Sequence, residues 1–480
     1  MSLLATDIAV IVYLVAQAFF LVAAFAFALS GLDDLAIDAL FYIRALYRRL
    51  AGRRSSPIPD RESLLSQPEK PLALMLPAWQ EAPVLFAAVE NILATVDYSS
   101  YEVFLGTYPN DSETQREADR LVAAHPRVHK IVTPHPGPTC KADCLNSILS
   151  AIADHEKSGG FEFAGIIMQD AEDVVHPMSL RLFNFLLEDY DLIQIPVLSL
   201  PRRTFDLIGA HYMDEFAEFH GKEIHVRSWL TRVVPGAGVG TAYARRLVQP
   251  RADGAPVFNI DSLTEDYEFS HRMAGTRQIF ACFKDPGAGA ECIATREYFP
   301  NRFVASFRQK ARWTIGISFQ GWRTFGWRGS LAQRYFFWRD RKMILFSHGV
   351  VIGWIAIVMY AGLAVYDAIF PAAYHLPPLL PPESPVWNVV WLNVGLLIHR
   401  VVQRHIWCVV FHGVRPALLA GPRYLVAITV NYFAMLRATR IYVRHLRNGR
   451  PIGWDKTSHD FPDRDLLEHA QRVDGGRPTT

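Results

Sequence analysis

Gly165-Ile166-Ile167-Met168-Gln169-Asp170-Ala171-Glu172-Asp173 reads as a short buried strand that stops on acidic residues. Upstream, Leu72 to Leu76 is a similar apolar run ended by Pro77, Glu81 to Val96 has helical spacing, and Tyr101 to Thr107 is a further strand. Alternating strands and helices across 71–300 predict a wound α/β domain with a mostly parallel sheet. Ligands of such sheets gather beyond the carboxyl ends of the strands. All three strands end in polar residues: Gln80 and Glu81, Asn110 and Asp111, and Asp170 to Asp173. Their convergence is the first functional signal.

Asp170, Glu172 and Asp173 offer three carboxylates within four residues, and in an extended chain Asp170 and Glu172 point to the same side. Hard divalent cations take carboxylate oxygens together with substrate phosphates, so this group suits a metal-bound diphosphate; a solvated turn explains it as well. Thr264-Glu265-Asp266 is a second acidic group. A carboxylate there suits a general base, and a helix capped by Thr264 is the alternative. Gln309-Lys310-Ala311-Arg312-Trp313 lies in a basic, aromatic stretch with Phe303, Phe307, Phe319, Trp322, Phe325 and Trp327. Such a stretch fits an amphipathic helix on a membrane surface, with Trp313 placed to stack on a sugar ring and Arg312 to pair with a diphosphate.

Ile8 to Leu29 is apolar except for Gln17, long enough for a bilayer that needs about 20 residues. A secretory signal would start with positive charge, but no Lys or Arg precedes Arg44, so a retained span is expected. Arg44, Arg48, Arg49, Arg53 and Arg54 then place that side in the cytoplasm and the N-terminus outside. Met343 to Tyr366 is a second span, and a third runs inward from near Val386. Between them, Pro377 to Pro385 reads as a short outside loop. Tyr424 to Leu436 has arginines on both flanks, which favours an interfacial or re-entrant helix over a fourth span.

The chain has 480 residues, 50% hydrophobic and 20% charged, against about 25% charged in soluble domains, which agrees with a soluble domain joined to spans. Its five cysteines form no C-x-x-C, which disfavours a disulfide framework or a zinc site built from them. The Arg clusters sit beside the spans, where lipid and topology explain them, so nucleic-acid binding is not expected. The expected organisation is a span over 1–30, a basic cytoplasmic linker over 31–70 and a catalytic domain over 71–300. Interfacial helices over 301–342, transmembrane and interfacial helices over 343–445, and a cytoplasmic tail over 446–480 follow.

In this order the pieces resemble the processive family 2 glycosyltransferases, whose pattern is P-x-x-x-E, an acidic nucleotide site, a D-x-D-like motif, T-E-D and Q-x-x-R-W before membrane helices. Here these are Pro77–Glu81, Asn110–Asp111, Asp170–Asp173, Thr264–Asp266 and Gln309–Trp313. The resemblance implies a GT-A fold, inversion at the anomeric carbon, a nucleotide-sugar donor (a UDP-sugar expected), a glycan acceptor and a Mg²⁺ or Mn²⁺ ion. It implies that Pro77, Glu81, Asn110, Asp111, Lys141 and Asp170 meet the nucleotide-sugar, with Asp111 on the base or ribose. Asp170 and Glu172 would hold the metal-diphosphate, with Asp173 an alternative ligand because Glu172 departs from D-x-D. Asp266 would be the catalytic base, with Glu265 beside it. Gly236 to Thr241, including Gly238, Gly240 and Thr241, is similar to the glycine-rich acceptor loop and joins Gln309, Arg312 and Trp313 on the acceptor side; an ordinary turn is the alternative.

A second resemblance, to phage-adsorption proteins of the B type in the bacterial inner membrane, covers nearly the whole chain. It rests on Ser30–Asp34, Gly106–Asp111, Asp214–Phe216 and Trp454–Pro462. It implies a surface glycan that phage exploit and an outer-membrane partner. Longer members carry a C-terminal cyclic di-GMP module; about 18 residues follow Pro462, so neither that module nor a PilZ domain is expected here. The tail around Lys456 and His459 is expected to fold over the donor site as a gate, a solvated tail being the alternative. Single-sugar transfer to a lipid carrier and a non-catalytic docking platform are the competing functions.

Overall fold

Leu72–Pro77 (β1), Tyr101–Thr107 (β2), Val128–Val132 (β3) and Gly165–Met168 (β4) form the parallel half of the main sheet. The computed structural model describes residues 3–52, 59–203, 205–250, 254–285, 291–371, 375–449, 452–453, 456 and 460–462. Val174–Val175 (β5), Leu192–Gln194 (β6), Val197–Ser199 (β7), Thr241–Ala244 (β8), Gln278–Phe280 (β9) and Thr295–Glu297 (β10) are the later strands. The main sheet runs β3-β2-β1-β4-β8-β6-β9, with β8 antiparallel to both neighbours, and β5-β10-β7 is a small second sheet.

Every residue of β1 is buried, as a central strand covered on both faces requires. Alternation sends Leu72, Leu74 and Leu76 into one core and Ala73 and Met75 into the other. Leu85, Val89 and Ile92 of the Ala82–Thr95 helix close the first core. Cys144, Leu145, Ile148 and Ile152 of the Lys141–Gly159 helix close the second. The carboxyl ends of β1, β2 and β4 therefore open on one edge.

Among the described residues, three helices are long and apolar enough to cross a membrane: Leu3–Leu50, Leu331–Ile369 and Val386–His412. Ile11, Leu14, Phe25, Leu29, Trp354 and Val358 face outward from them. The first helix continues through Ser30-Gly31 to Leu50, so 31–50 is helical where a linker was expected. The Pro377–Leu379 turn takes hydrogen bonds from Tyr13, Gln17 and Tyr360, which puts that loop beside the N-terminal part of the first span. The Ala420–Asn448 helix is not among the three spans. It buries Ala420, Arg423, Ala427, Val430, Ala434 and Ala438, a stripe at helical spacing. Ala434 and Ala438 meet Ala311 of the Phe303–Thr314 helix and Ile315 just after it.

Buried ion pairs join the long apolar helices to one another and to the sheet domain. Asp33 and Asp34 on the first span pair with Arg339 and Lys342. The Leu207–Glu218 helix presents Asp214 to Arg423 through two hydrogen bonds of 2.6 and 2.7 Å, and Glu215 to Lys310 and Asn431. Glu218 meets Arg400 at 2.9 Å and Lys222 at 3.0 Å. Asp214 is fully buried, so removing its partner strands a charge. Arg423→Ala is expected to cost about 3–5 kcal/mol in denaturant unfolding of the detergent-solubilised protein, and an Arg423→Met, Asp214→Leu pair to restore most of it; equal stability of Arg423→Ala and the parent would contradict this.

Candidate active site

The first strand end is set by Gln80, a non-glycine residue at φ 55°. Its N–H donates to Asp111 Oδ2 at 2.5 Å, and the Thr114 N–H donates to Asp111 Oδ1 at 3.2 Å. Asp111 thus caps the Ser112–Ala124 helix and fastens the two rims together. Each oxygen keeps a lone pair for a further donor. Asn110 exchanges two hydrogen bonds with Gly137 at 2.6 and 2.7 Å, which holds the 133–140 loop beside Trp79. Pro77 is buried opposite Gly106 at the end of β1, and Glu81 is nearly buried at the head of the following helix.

Lys141, the first residue of the Lys141–Gly159 helix, reaches across the open edge. Its Nζ lies 2.5 Å from Asp170 Oδ1 and donates to the Gly238 carbonyl at 2.8 Å. Burial alone would lower its pKa, but the carboxylates of Asp170, Glu265 and Asp266 outweigh that and raise it. Gly238 and Gly240 have φ of 75° and 59°, a region that favours glycine. A Cβ on Gly238 would sit 3.2 Å from Asp266 Oδ2 and 3.3 Å from Lys141 Nζ. The acidic strand end, the T-E-D helix Glu265–Arg272 and the glycine loop therefore share one cleft.

Burial raises the Asp266 carboxyl to about 6, with Lys141 opposing. Burial and then the Asp266 charge raise Glu265 to about 7. The two titrate as a pair. Thr264 stands at the helix N-cap position, yet its side chain makes no capping hydrogen bond. Tyr267, next to Asp266, donates to Asp340 Oδ2 at 2.6 Å, and Arg227 clamps the same carboxylate, so this helix is anchored to the Leu331–Ile369 span.

Two sequence-assigned residues are placed differently. Asp173 is fully buried and its Oδ2 accepts the Asp170 N–H at 2.7 Å, so it braces the turn behind Asp170. Thr241 is also fully buried, with its hydroxyl donated to Gln194 Oε1 at 2.7 Å. It supports the glycine loop from below and does not line the cleft. Glu172 is nearly buried beside Asp170. Trp313 packs edge-on to Tyr212, Phe216 and Phe299, in a cluster that includes Val239 of the loop. Gln309 is nearly buried on the same helix. Arg312 lines a cavity of about 270 Å³ with Arg308, Arg437, Arg444 and His445.

The sequence reading missed Gln169 and Gln194. Gln169 Oε1 accepts the Gly240 N–H at 3.0 Å, and Gln194 holds Ala237, Val239 and Thr241. A glutamine at the end of each apolar strand was the available signal, since buried amides need partners. Lys456 belongs to the tail expected to gate the donor site. It pairs with Glu81 at 2.8 Å and donates to the Trp79 and Gln80 carbonyls, while Asp460 meets Arg202 at 3.0 Å. Trp454 and His459 lie outside the described residues.

A family model described as glycosyl transferase family group 2 matches residues 165–369. Bacteriophage adsorption protein B of Escherichia coli (strain K12) is 41% identical over 452 residues, covering 90% of this chain and 60% of that protein. Bacteriophage N4 adsorption protein B of Escherichia coli O157:H7 matches to the same extent. The chain thus spans 60% of the length of these curated relatives. Among solved structures, a Pyrobaculum calidifontis mannosyltransferase in complex with GDP-Man and Mn²⁺ is 15% identical with a TM-score of 0.45, covering 89% of this chain and 99% of that one. Glucosyl-3-phosphoglycerate synthase of Mycobacterium tuberculosis gives a TM-score of 0.26 at 15% identity, covering 40% of this chain and 64% of that one. The chain is thus similar to bacteriophage adsorption protein B over 90% of its length, and residues 165–369, which hold the cleft carboxylates and the Gln309–Trp313 helix, match the family 2 glycosyl transferase model.

Proposed function

We propose that this chain is an inverting glycosyltransferase of the bacterial inner membrane that moves a hexose or N-acetylhexosamine from a UDP-sugar to a growing surface glycan. The observation that carries the reading is Lys141, whose ammonium stands between Asp170 and the Gly238 carbonyl, next to the Asp266 carboxylate. An acceptor hydroxyl over Gly238 would give its proton to Asp266 as its oxygen attacks the anomeric carbon, and the bond to the diphosphate oxygen breaks on the opposite face. Lys141 would balance the charge gathering on that diphosphate, and Arg312 would pair with its far side. Asp170 and Glu172 are hard oxygen donors of the kind Mg²⁺ and Mn²⁺ take, and such an ion would neutralise the leaving diphosphate. Pro77, Glu81, Asn110 and Asp111 form the rim for the nucleotide, and Gly238, Gly240, Gln309 and Trp313 the acceptor side.

The spans support a membrane-embedded enzyme. The basic cluster Arg44, Arg48 and Arg49 lies at the sheet-domain end of the first helix, which under the positive-inside rule puts the catalytic cleft in the cytoplasm and the N-terminus outside. Lys456 gives the tail a gating role: its hold on Glu81 and the Trp79 and Gln80 carbonyls closes the nucleotide rim. The 41% identity to adsorption protein B supports a role in phage adsorption, and the surface glycan and an outer-membrane partner belong to the same proposal.

Purified protein given a panel of UDP-sugars with Mg²⁺ or Mn²⁺ should release UDP with one of them, and Asp266→Asn should lower kcat by about 10²–10⁴-fold; UDP release undiminished in that variant removes the base assignment. Because burial raises the Glu265 and Asp266 pair and the base works only when ionised, kcat/KM should fall as pH drops through about 6. A profile flat down to pH 4 would contradict it. Lys456→Ala should raise the donor KM about tenfold, the scale of a charge-assisted hydrogen bond. Unchanged KM and kcat would remove the gate.

A further inference from the structure

Glu102, His129 and His155 meet at the opposite end of the sheet from the cleft, where the transfer chemistry uses nothing. Glu102 lies near the start of β2 and His129 near the start of β3. Phe104 is the register partner of His129, and Glu102, two residues earlier, shares its face. The Lys141–Gly159 helix covers that face and brings His155, near its carboxyl end, to the same point.

His129 Nε2 lies 2.5 Å and His155 Nε2 2.9 Å from one atom, Glu102 Oε2. One ligating atom from each of the three residues falls within 4.8 Å of the others. Aromatic contacts fix both rings. His129 stacks on Phe104 at 4.9 Å and 27°, and His155 lies parallel to Phe163 at 6.2 Å and 17° with Phe161 edge-on at 5.7 Å. The three side chains are 28–30% exposed, which leaves one side open to solvent.

We propose that Glu102, His129 and His155 form a second metal site, for a divalent ion of the Zn²⁺ class, with solvent in the open position. Two imidazoles and one carboxylate are a ligand set for such ions, and the nitrogens set it apart from the all-oxygen group Asp170 and Glu172. Ligands at about 2.1 Å from a tetrahedral ion stand about 3.4 Å apart, so each histidine has to withdraw from Glu102 by only about 1 Å or less. The ion would clamp β2, β3 and the far end of the helix that begins with Lys141. It is a structural site, and it stands whether or not the transfer reaction is as proposed.

The test uses the full chain in detergent with excess Mg²⁺, titrated with Co²⁺ and then Zn²⁺. One equivalent of Co²⁺ should bind with the visible bands of a low-coordinate site, Zn²⁺ should displace it, and the melting temperature should rise with Zn²⁺. His129→Gln and His155→Gln keep a hydrogen-bonding side chain toward Glu102, and each should weaken Co²⁺ binding by about tenfold or more. Asp170→Asn should leave the bands intact. Co²⁺ binding that Asp170→Asn abolishes, or that both histidine variants retain at parental affinity, overturns the proposal. So does the absence of any Co²⁺ or Zn²⁺ binding in the parent.

Discussion

The ammonium of Lys141 makes the cleft tenable. Asp170, Glu265 and Asp266 come from two distant stretches of chain and are brought together by β4, β8 and the Glu265–Arg272 helix. Like charges at such range would push the strand ends apart or force the carboxyls to stay protonated. One buried cation, delivered at the first turn of a helix that itself covers half the core, offsets them. Its second bond, to the Gly238 carbonyl, orders the glycine loop by the same contact. Lys141 thus adds to the Gln169 and Gln194 bonds that hold the loop and opposes the burial that raises the acids.

A second layer of charge pairing fixes the sheet domain to the long apolar helices. Asp214, Glu215, Glu218 and Lys222 recur at helical spacing along one helical run, and their partners sit on Val386–His412, Ala420–Asn448, Phe303–Thr314 and the first long helix. Hydrophobic contact alone would leave orientation loose where a water-soluble domain meets lipid-facing helices. Buried ion pairs tolerate little sliding, because each displacement strands a charge. The Arg227–Asp340–Tyr267 contact extends this registration to Asp266's own helix, so the position of the acid depends on the start of a membrane helix.

The motifs Ser30–Asp34 and Asp214–Phe216, recognisable in the sequence without any assigned chemistry, acquire a physical role here. Asp33 and Asp34 hold Arg339 and Lys342, and Asp214 holds Arg423. They are docking charges, and nothing local in the chain reveals the partner of a charge 209 or 306 residues away.

The sequence by itself determined the strands β1, β2 and β4, the acidic ends that crown them and the three apolar helices of bilayer length. Those features are written in local periodicity and composition: a run of four to seven apolar residues, a helix of bilayer length, a carboxylate cluster after a strand. The continuation of the first helix to Leu50 escaped that reading because Ser30-Gly31 and the arginines look like a linker, while pairing of Asp33 and Asp34 with a second span favours helix. Only the tertiary structure decided which acidic residues face the cleft. Asp170 and Asp173 are three residues apart and chemically alike, yet one meets Lys141 and the other braces a turn, because burial and backbone partners differ between them. Thr241, Gln169 and Gln194 likewise took their places from hydrogen bonds across strands, which spacing along one chain does not encode.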